Sequence, residues 1–184
     1  MKNTAYRRDL VLIGGGHSHI EVLRRFRMKP WNGIRITLIS KDIETQYSGM
    51  LPGVVAGHYS DDESYIDLFR LAQVSGIRFL DDEVTAIDPE SKCVVCKRRG
   101  KFNYDVLSIN IGSLPPSMPG KFCKTFIPVK PISSFRARFE QVLPSITLEK
   151  TGKKIGVIGG GAAGSEIIMA IKHRLEGNSE KNRP

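Results

Sequence analysis

Apolar residues along this chain fall into short runs with strand or helix period, punctuated by glycine and proline. Residues 9–13 form an apolar run closed by Gly14, Gly15 and Gly16, and Ile20, Val22, Leu23 and Phe26 then recur at mixed helical spacing. The pattern predicts a strand, a tight turn and a helix. Pro30 and Gly33 stop that helix, and residues 34–40 alternate β-branched and apolar side chains as a second strand. Together they make a βαβ unit of about 30 residues, which implies a parallel sheet. Residues 41–57 lack clean periodicity and carry Gly49, Pro52, Gly53 and Gly57. They are expected as a long ordered loop or broken helix, the kind of segment that touches ligand. Residues 67–75 predict a helix.

Further on, residues 76–80 read as a third strand, and residues 84–88, 93–98 and 101–104 as short extended pieces separated by Pro89-Glu90-Ser91 and Arg99-Gly100. These predict a small antiparallel meander. Residues 105–111 predict a buried strand ending at Gly112, and residues 114–120, rich in proline, an irregular crossing. A helix over 134–143 and a linker over 144–151 lead to a second strand at 154–158, the turn Gly159-Gly160-Gly161, and a helix over 162–175. Residues 177–184 are polar and charged without an apolar anchor, which predicts a frayed tail.

The strand, glycine turn and helix sequence therefore occurs twice. A dinucleotide pyrophosphate needs a turn tight enough to bring backbone amides and a helix N-terminus against two phosphates, and side chains there would block the approach. The second turn, Gly159-Gly160-Gly161-Ala162-Ala163-Gly164, completes the G-x-G-x-x-G pattern between a predicted strand and a predicted helix. The first, Gly14-Gly15-Gly16-His17-Ser18-His19, keeps two glycines and has His19 where a third glycine lets helix and strand pack closely. The acidic residue expected about 20 residues on, for a ribose hydroxyl, falls at Ser40, followed by Lys41 and Asp42. Ser40 can hydrogen-bond a ribose without charge. The amides that follow Leu12 and Ile13 are expected to curl around the diphosphate. A glycine-rich turn with no ligand is the plain alternative for the first turn taken by itself.

Composition narrows the choice of function. With 184 residues, 40% hydrophobic and 26% charged, the chain matches a folded globular protein of one domain with part of a second. No apolar run approaches the roughly 18 to 20 residues that span a bilayer, and residues 1–9 carry no signal-peptide pattern. The cytoplasm is the expected location, with peripheral attachment to a membrane left open. Three cysteines at irregular spacing imply no disulfide framework. Cys93 and Cys96 have redox-motif spacing but lie in a predicted strand, where residues three apart point to opposite faces, so they are expected to be structural. The net charge of +9 suits anionic cofactors, nucleic acid or an anionic membrane surface. Basic clusters at residues 24–29 and 97–101 have little aromatic interleaving, so no nucleic-acid partner is expected. His17 and His19 have no nearby third ligand, so no metal is expected.

The first turn, the loop Tyr47-Ser48-Gly49-Met50-Leu51-Pro52-Gly53 and the strand Tyr104-Asp105-Val106-Leu107-Ser108-Ile109-Asn110-Ile111-Gly112-Ser113 resemble the pyridine nucleotide-disulfide oxidoreductase superfamily over almost the whole chain. Within it the chain is most similar to type II NADH dehydrogenases, sulfide:quinone oxidoreductases and the flavoprotein module fused to selenide, water dikinase. The resemblance implies an α/β fold. It consists of a Rossmann-like FAD-binding domain with parallel sheet and antiparallel β-meander over 1–150, then the first βα unit of a second, NAD(P)-binding domain over 151–176. It implies that Gly14, Gly16, His17, Ser18 and His19 meet FAD pyrophosphate, that Ser40 and Lys41 meet the adenosine ribose, and that Met50 and Pro52 approach the flavin ring. It also implies that the backbone at Val84 contacts adenine and that Gly112 ends a strand where relatives carry Ala-Thr-Gly. Gly159, Gly161 and Gly164 would take the nicotinamide cofactor, NADH or NADPH.

The expected activity is electron transfer from NAD(P)H through FAD to a quinone or other small acceptor. No catalytic residue is assigned. Relatives carrying a redox cysteine pair place it soon after the first turn, and no cysteine precedes Cys93 here. Lys130, in Pro128-Val129-Lys130-Pro131, matches a segment of the most similar group or is a plain solvated lysine. A chain of this length is expected to be a fragment, a truncated product or one half of a complementing pair whose partner chain completes the second domain. A nucleotide-binding remnant without turnover is the alternative reading.

Overall fold

The computed structural model describes residues 8–60, 62–113, 126–148 and 154–181. The chain runs β1 (Arg8–Ile13), α1 (His17–Met28), β2 (Ile34–Ser40), β3 (Glu44–Gln46), a 3-10 turn (Ser48–Met50), α2 (Leu51–Ala56), a second 3-10 turn (Asp62–Ser64), β4 (Tyr65–Asp67) and α3 (Leu68–Val74). It continues with β5 (Arg78–Asp81), β6 (Val84–Asp88), β7 (Cys93–Cys96), β8 (Gly100–Asn103), β9 (Val106–Ile109), α4 (Ile132–Leu148) and α5 (Ala162–Lys181). Two compact units result, one of Met1–Thr45 with Ile66–Gly112, the other of Gln46–Tyr65 with Ser113–Pro184.

The first unit is built on a parallel sheet in the order β5-β2-β1-β9. Side chains of a strand alternate between faces, and a sheet buried on both faces needs continuous apolar runs, which is what residues 10–13 and 36–39 supply. Leu12, Ile36 and Leu38 pack on one face with Leu23 of α1 and Leu68 and Ala72 of α3. Val11, Ile13 and Ile39 pack on the other with Val94 and Cys96 of the meander. The predicted meander is present as an antiparallel sheet, β6-β7-β8, with a register irregularity between Val84 and Ala86. Asp67 caps α3 by accepting a bond from the Arg70 amide at 2.7 Å.

The strand predicted as buried, β9, is the edge of the four-stranded sheet among the described residues, and Val106, Ile109 and Ile111 are exposed. An apolar run identifies a strand but not its place in the sheet. Cys93 and Cys96 are buried free thiols. Burial and, secondarily, the Asp82 carboxylate push the Cys96 thiol up, away from reactive thiolate. Cys123 and the crossing predicted over 114–120 lie outside the described residues.

In the second unit, Leu51 and Val55 of α2, Phe135, Phe139 and Leu143 of α4, and Ile167, Ala170 and Ile171 of α5 form one core. The Phe135 and Phe139 rings stack with centroids 5.9 Å apart. The predicted loop or broken helix over 41–57 resolves into β3, a 3-10 turn and α2, which ends at Gly57 with φ +84. The helix α4 is longer than predicted and contains Pro144. Residues 154–158 form no strand, although Ile155 and Val157 lean on the core and Ile158 is exposed. That alternation is strand-like, but a strand exists only by its ladder, and no described residue pairs with it. The helix α5 continues past Gly177 to Lys181, into the stretch whose composition predicted a tail.

Candidate nucleotide-binding site

The turn between β1 and α1 is fixed by its own backbone. Gly14 has φ +90, a region that favours glycine, and its amide donates to the Ile39 carbonyl at 2.8 Å. The Gly16 amide donates to the Asn110 carbonyl at 3.1 Å. A Cβ at Gly14 would collide with the Asn110 carbonyl oxygen, and one at Gly16 with the Asn110 side chain. The glycines thus let β9 approach the turn. These two amides are engaged within the protein. Gly16 caps α1 without a side-chain bond, and the first turn holds no acidic residue, so the positive end of the helix dipole is not offset by a carboxylate. His17 and Ser18 are exposed there.

His19 is buried at 2% exposure. Its Nδ1 lies 2.7 Å from the Gly14 carbonyl oxygen, and its Nε2 lies 2.9 Å from Ser108 Oγ. A carbonyl can only accept, so Nδ1 carries the proton and Nε2 accepts from the serine hydroxyl. Burial lowers the pKa of the imidazole, against a smaller upward push from Gly14, and favours the neutral ring. Both ring nitrogens are used inside the protein, so His19 positions the turn rather than offering a polar atom to a ligand.

Ser40 ends β2 in a buried position. Its Oγ accepts from the Asp42 amide at 3.3 Å, and its carbonyl accepts from the Asp82 amide at 3.1 Å. Beside it lies a cavity of about 240 Å³ lined by Lys41, Asp82, Glu83, Lys97 and Arg98. Asp82 is buried, and its Oδ1 accepts from the amides of Glu83 at 2.8 Å and Arg98 at 3.1 Å. Its Oδ2 has no hydrogen-bond partner. Burial pushes the Asp82 carboxyl up, but those amides and the Arg98 guanidinium outweigh it and hold the group below the usual carboxylate range. Val84 opens β6, and Gly112, with φ +79, follows β9. Gly14, Gly16, His17, Ser18, Ser40, Lys41 and Gly112 therefore gather at the carboxyl ends of β1, β2 and β9, where ligands of open α/β sheets bind. Ser108, Asn110 and Asp82 carry no signal in the sequence that marks them for this place.

In the second unit, Met50 ends the 3-10 turn and Pro52 sits in the first turn of α2, both half-buried. Gly159 has φ +117, and a Cβ at Gly164 would collide with the Gly159 carbonyl. The third glycine of the pattern is thus required by close packing. The Gly161 carbonyl accepts from the Ser165 amide at 3.1 Å, and the first turn of α5 holds no acidic residue. Lys130 donates to Ser113 Oγ at 3.0 Å.

A family model described as pyridine nucleotide-disulphide oxidoreductase matches residues 8–176. An NADH oxidase of Lactococcus lactis subsp. cremoris (strain MG1363) is 28% identical over 176 residues, covering 90% of this chain and 38% of that protein. The structure of NDH2 from Plasmodium falciparum in complex with NADH superimposes with a TM-score of 0.71 at 18% identity, over 96% of this chain and 39% of that one. That of NADH:rubredoxin oxidoreductase from Clostridium acetobutylicum gives 0.68 at 20% identity, over 91% and 42%. These structural likenesses show the fold, and the chain spans less than half the length of each of these relatives.

Proposed function

The chain belongs to the pyridine nucleotide-disulphide oxidoreductase family, and we propose that its first glycine turn holds FAD and its second a nicotinamide dinucleotide, NADH or NADPH. The family comprises FAD-dependent NAD(P)H oxidoreductases. One observation carries the reading for this chain. The N-terminus of α1 has neither a side-chain cap nor an acidic first turn, and it opens from glycines that admit no Cβ. That combination fits a pyrophosphate.

The α1 amides and the Ser18 hydroxyl would hold phosphate, Ser40 and Lys41 the adenosine ribose, and Val84 the adenine. Met50 and Pro52 are the residues of the second unit that the resemblance assigns to the ring system. Bound FAD supplies the hydride chemistry, and the protein's part is placement and exclusion of water. We read residues 1–150 as the FAD-binding domain and 151–176 as the opening of the NAD(P)-binding domain, with a quinone or other small molecule as acceptor. Ser40, uncharged and engaged with Asp42, favours a second reading, a nucleotide-binding module without turnover.

Purification of the chain, visible spectroscopy and anaerobic addition of NADH test both. A flavin absorbance that bleaches supports the oxidoreductase. Retained but unbleached flavin supports the binding module. Failure to bind added FAD overturns the assignment of the first turn.

A further inference from the structure

The end of α1 opposite the glycine turn presents a surface that no part of this reading uses. Arg24, Arg27 and Met28 lie at i, i+3 and i+4 in the last turns of α1, the spacing of one helix face, and Trp31 follows in the turn after the helix end. Met28 is 71% exposed and Trp31 59%, two large apolar side chains three residues apart amid basic neighbours. Arg24 Nη1 lies 3.3 Å from Met28 Sδ, so a basic and an apolar side chain adjoin at this end of the helix. Arg24, Arg25, Arg27 and Lys29 face a single acid on this helix, Glu21, which pairs with Arg24 and Arg25 at 2.7 Å each. Arg27 and Lys29 have no ion pair among the described residues.

The patch is also held in place. The Arg8 amide donates to the Gly33 carbonyl at 3.1 Å and the Lys29 amide to the Arg25 carbonyl at 2.9 Å, which ties the turn around Trp31 to the start of β1 and to α1. It lies at the amino ends of β1 and β2, where Arg8 pairs with Ile34. Gly14 and Ser40 stand at the other ends of these strands, about 20 Å away by strand length.

We propose that the carboxyl end of α1 and the turn after it form a docking surface for an anionic lipid bilayer, with Trp31 and Met28 entering the interface between basic side chains. Tryptophan favours the headgroup boundary, and lysine and arginine favour anionic headgroups. A single-stranded nucleic acid would ask for a row of aromatic platforms, and this patch has one. The proposal goes beyond the cofactor reading and is independent of it.

Trp31 is the chain's one tryptophan, so its fluorescence reports this surface alone. Vesicles of phosphatidylcholine with phosphatidylglycerol are expected to shift its emission to the blue, and brominated lipid to quench it. Pure phosphatidylcholine vesicles should do neither. The double variant Arg27→Glu, Lys29→Glu should weaken binding at least about 25-fold, from about five-fold for each basic residue. The double variant Lys92→Glu, Lys101→Glu, around the meander and equal in charge change, should leave it near wild type and thereby exclude a mere net-charge effect. Vesicle binding without a Trp31 shift overturns the proposal, as does equal loss in both variants. A Trp31 response to polyuridylate but not to anionic vesicles overturns it in favour of nucleic acid.

Discussion

Ser108 Oγ stands 2.9 Å from His19 Nε2, a hydrogen bond that ties the first turn of α1 to β9. The same imidazole donates to Gly14, so one buried side chain joins the glycine turn, the helix and the neighbouring strand. Its position in the motif belongs to a glycine in the complete pattern, where close approach does the joining. Here a hydrogen-bonded ring does it.

Ser108→Ala removes the hydroxyl and leaves a buried ring nitrogen unsatisfied. A loss of about 1–3 kcal/mol in urea denaturation is expected, and His19→Ala, which also opens a cavity, should cost more. The folded imidazole has its pKa below the ordinary value near 6.5, so the unfolded chain takes up the proton first. Stability should therefore be full above about pH 6.5 and fall as the pH drops towards the folded value. A His19→Phe variant should lack that part of the pH dependence.

Gly14 and Gly112 separate backbone strain from collision. Both have positive φ, but a Cβ at Gly112 meets nothing within 4 Å, whereas one at Gly14 meets the Asn110 carbonyl. Gly112→Ala should cost about 1 kcal/mol. Gly14→Ala should cost more and abolish flavin retention, measured by absorbance after gel filtration.

The Asp82 carboxylate is buried against two amides and Arg98. Its pKa is held low, so its contribution is present above the ordinary aspartate value and is lost as pH falls through the folded one. Asp82→Asn should melt below wild type at neutral pH, and the gap should close in acid. A gap that stays constant with pH would show that the charge plays no part.

Phe139 lies in the α2, α4 and α5 core of the second unit. Phe139→Ala should cost about 3–5 kcal/mol in urea denaturation. If Phe139→Ala leaves the melting curve unchanged, α4 does not pack as described.

Local chemistry made much of this protein legible from its residues. Residues 34–40 form β2 with the expected bounds because β-branched alternation between Gly33 and a polar end admits little else. The turn at Gly14 and the helix from His17 follow equally from what a pyrophosphate or a tight turn demands. The reach of Ser108 to His19, the burial of Asp82 beside Ser40 and the edge position of β9 were not legible. Each joins residues far apart in the chain, and such contacts depend on sheet order and register, which a run of apolar residues does not encode. The absent strand at 154–158 shows the same limit. Its alternating pattern comes from its own sequence, but its hydrogen bonds depend on a neighbouring strand.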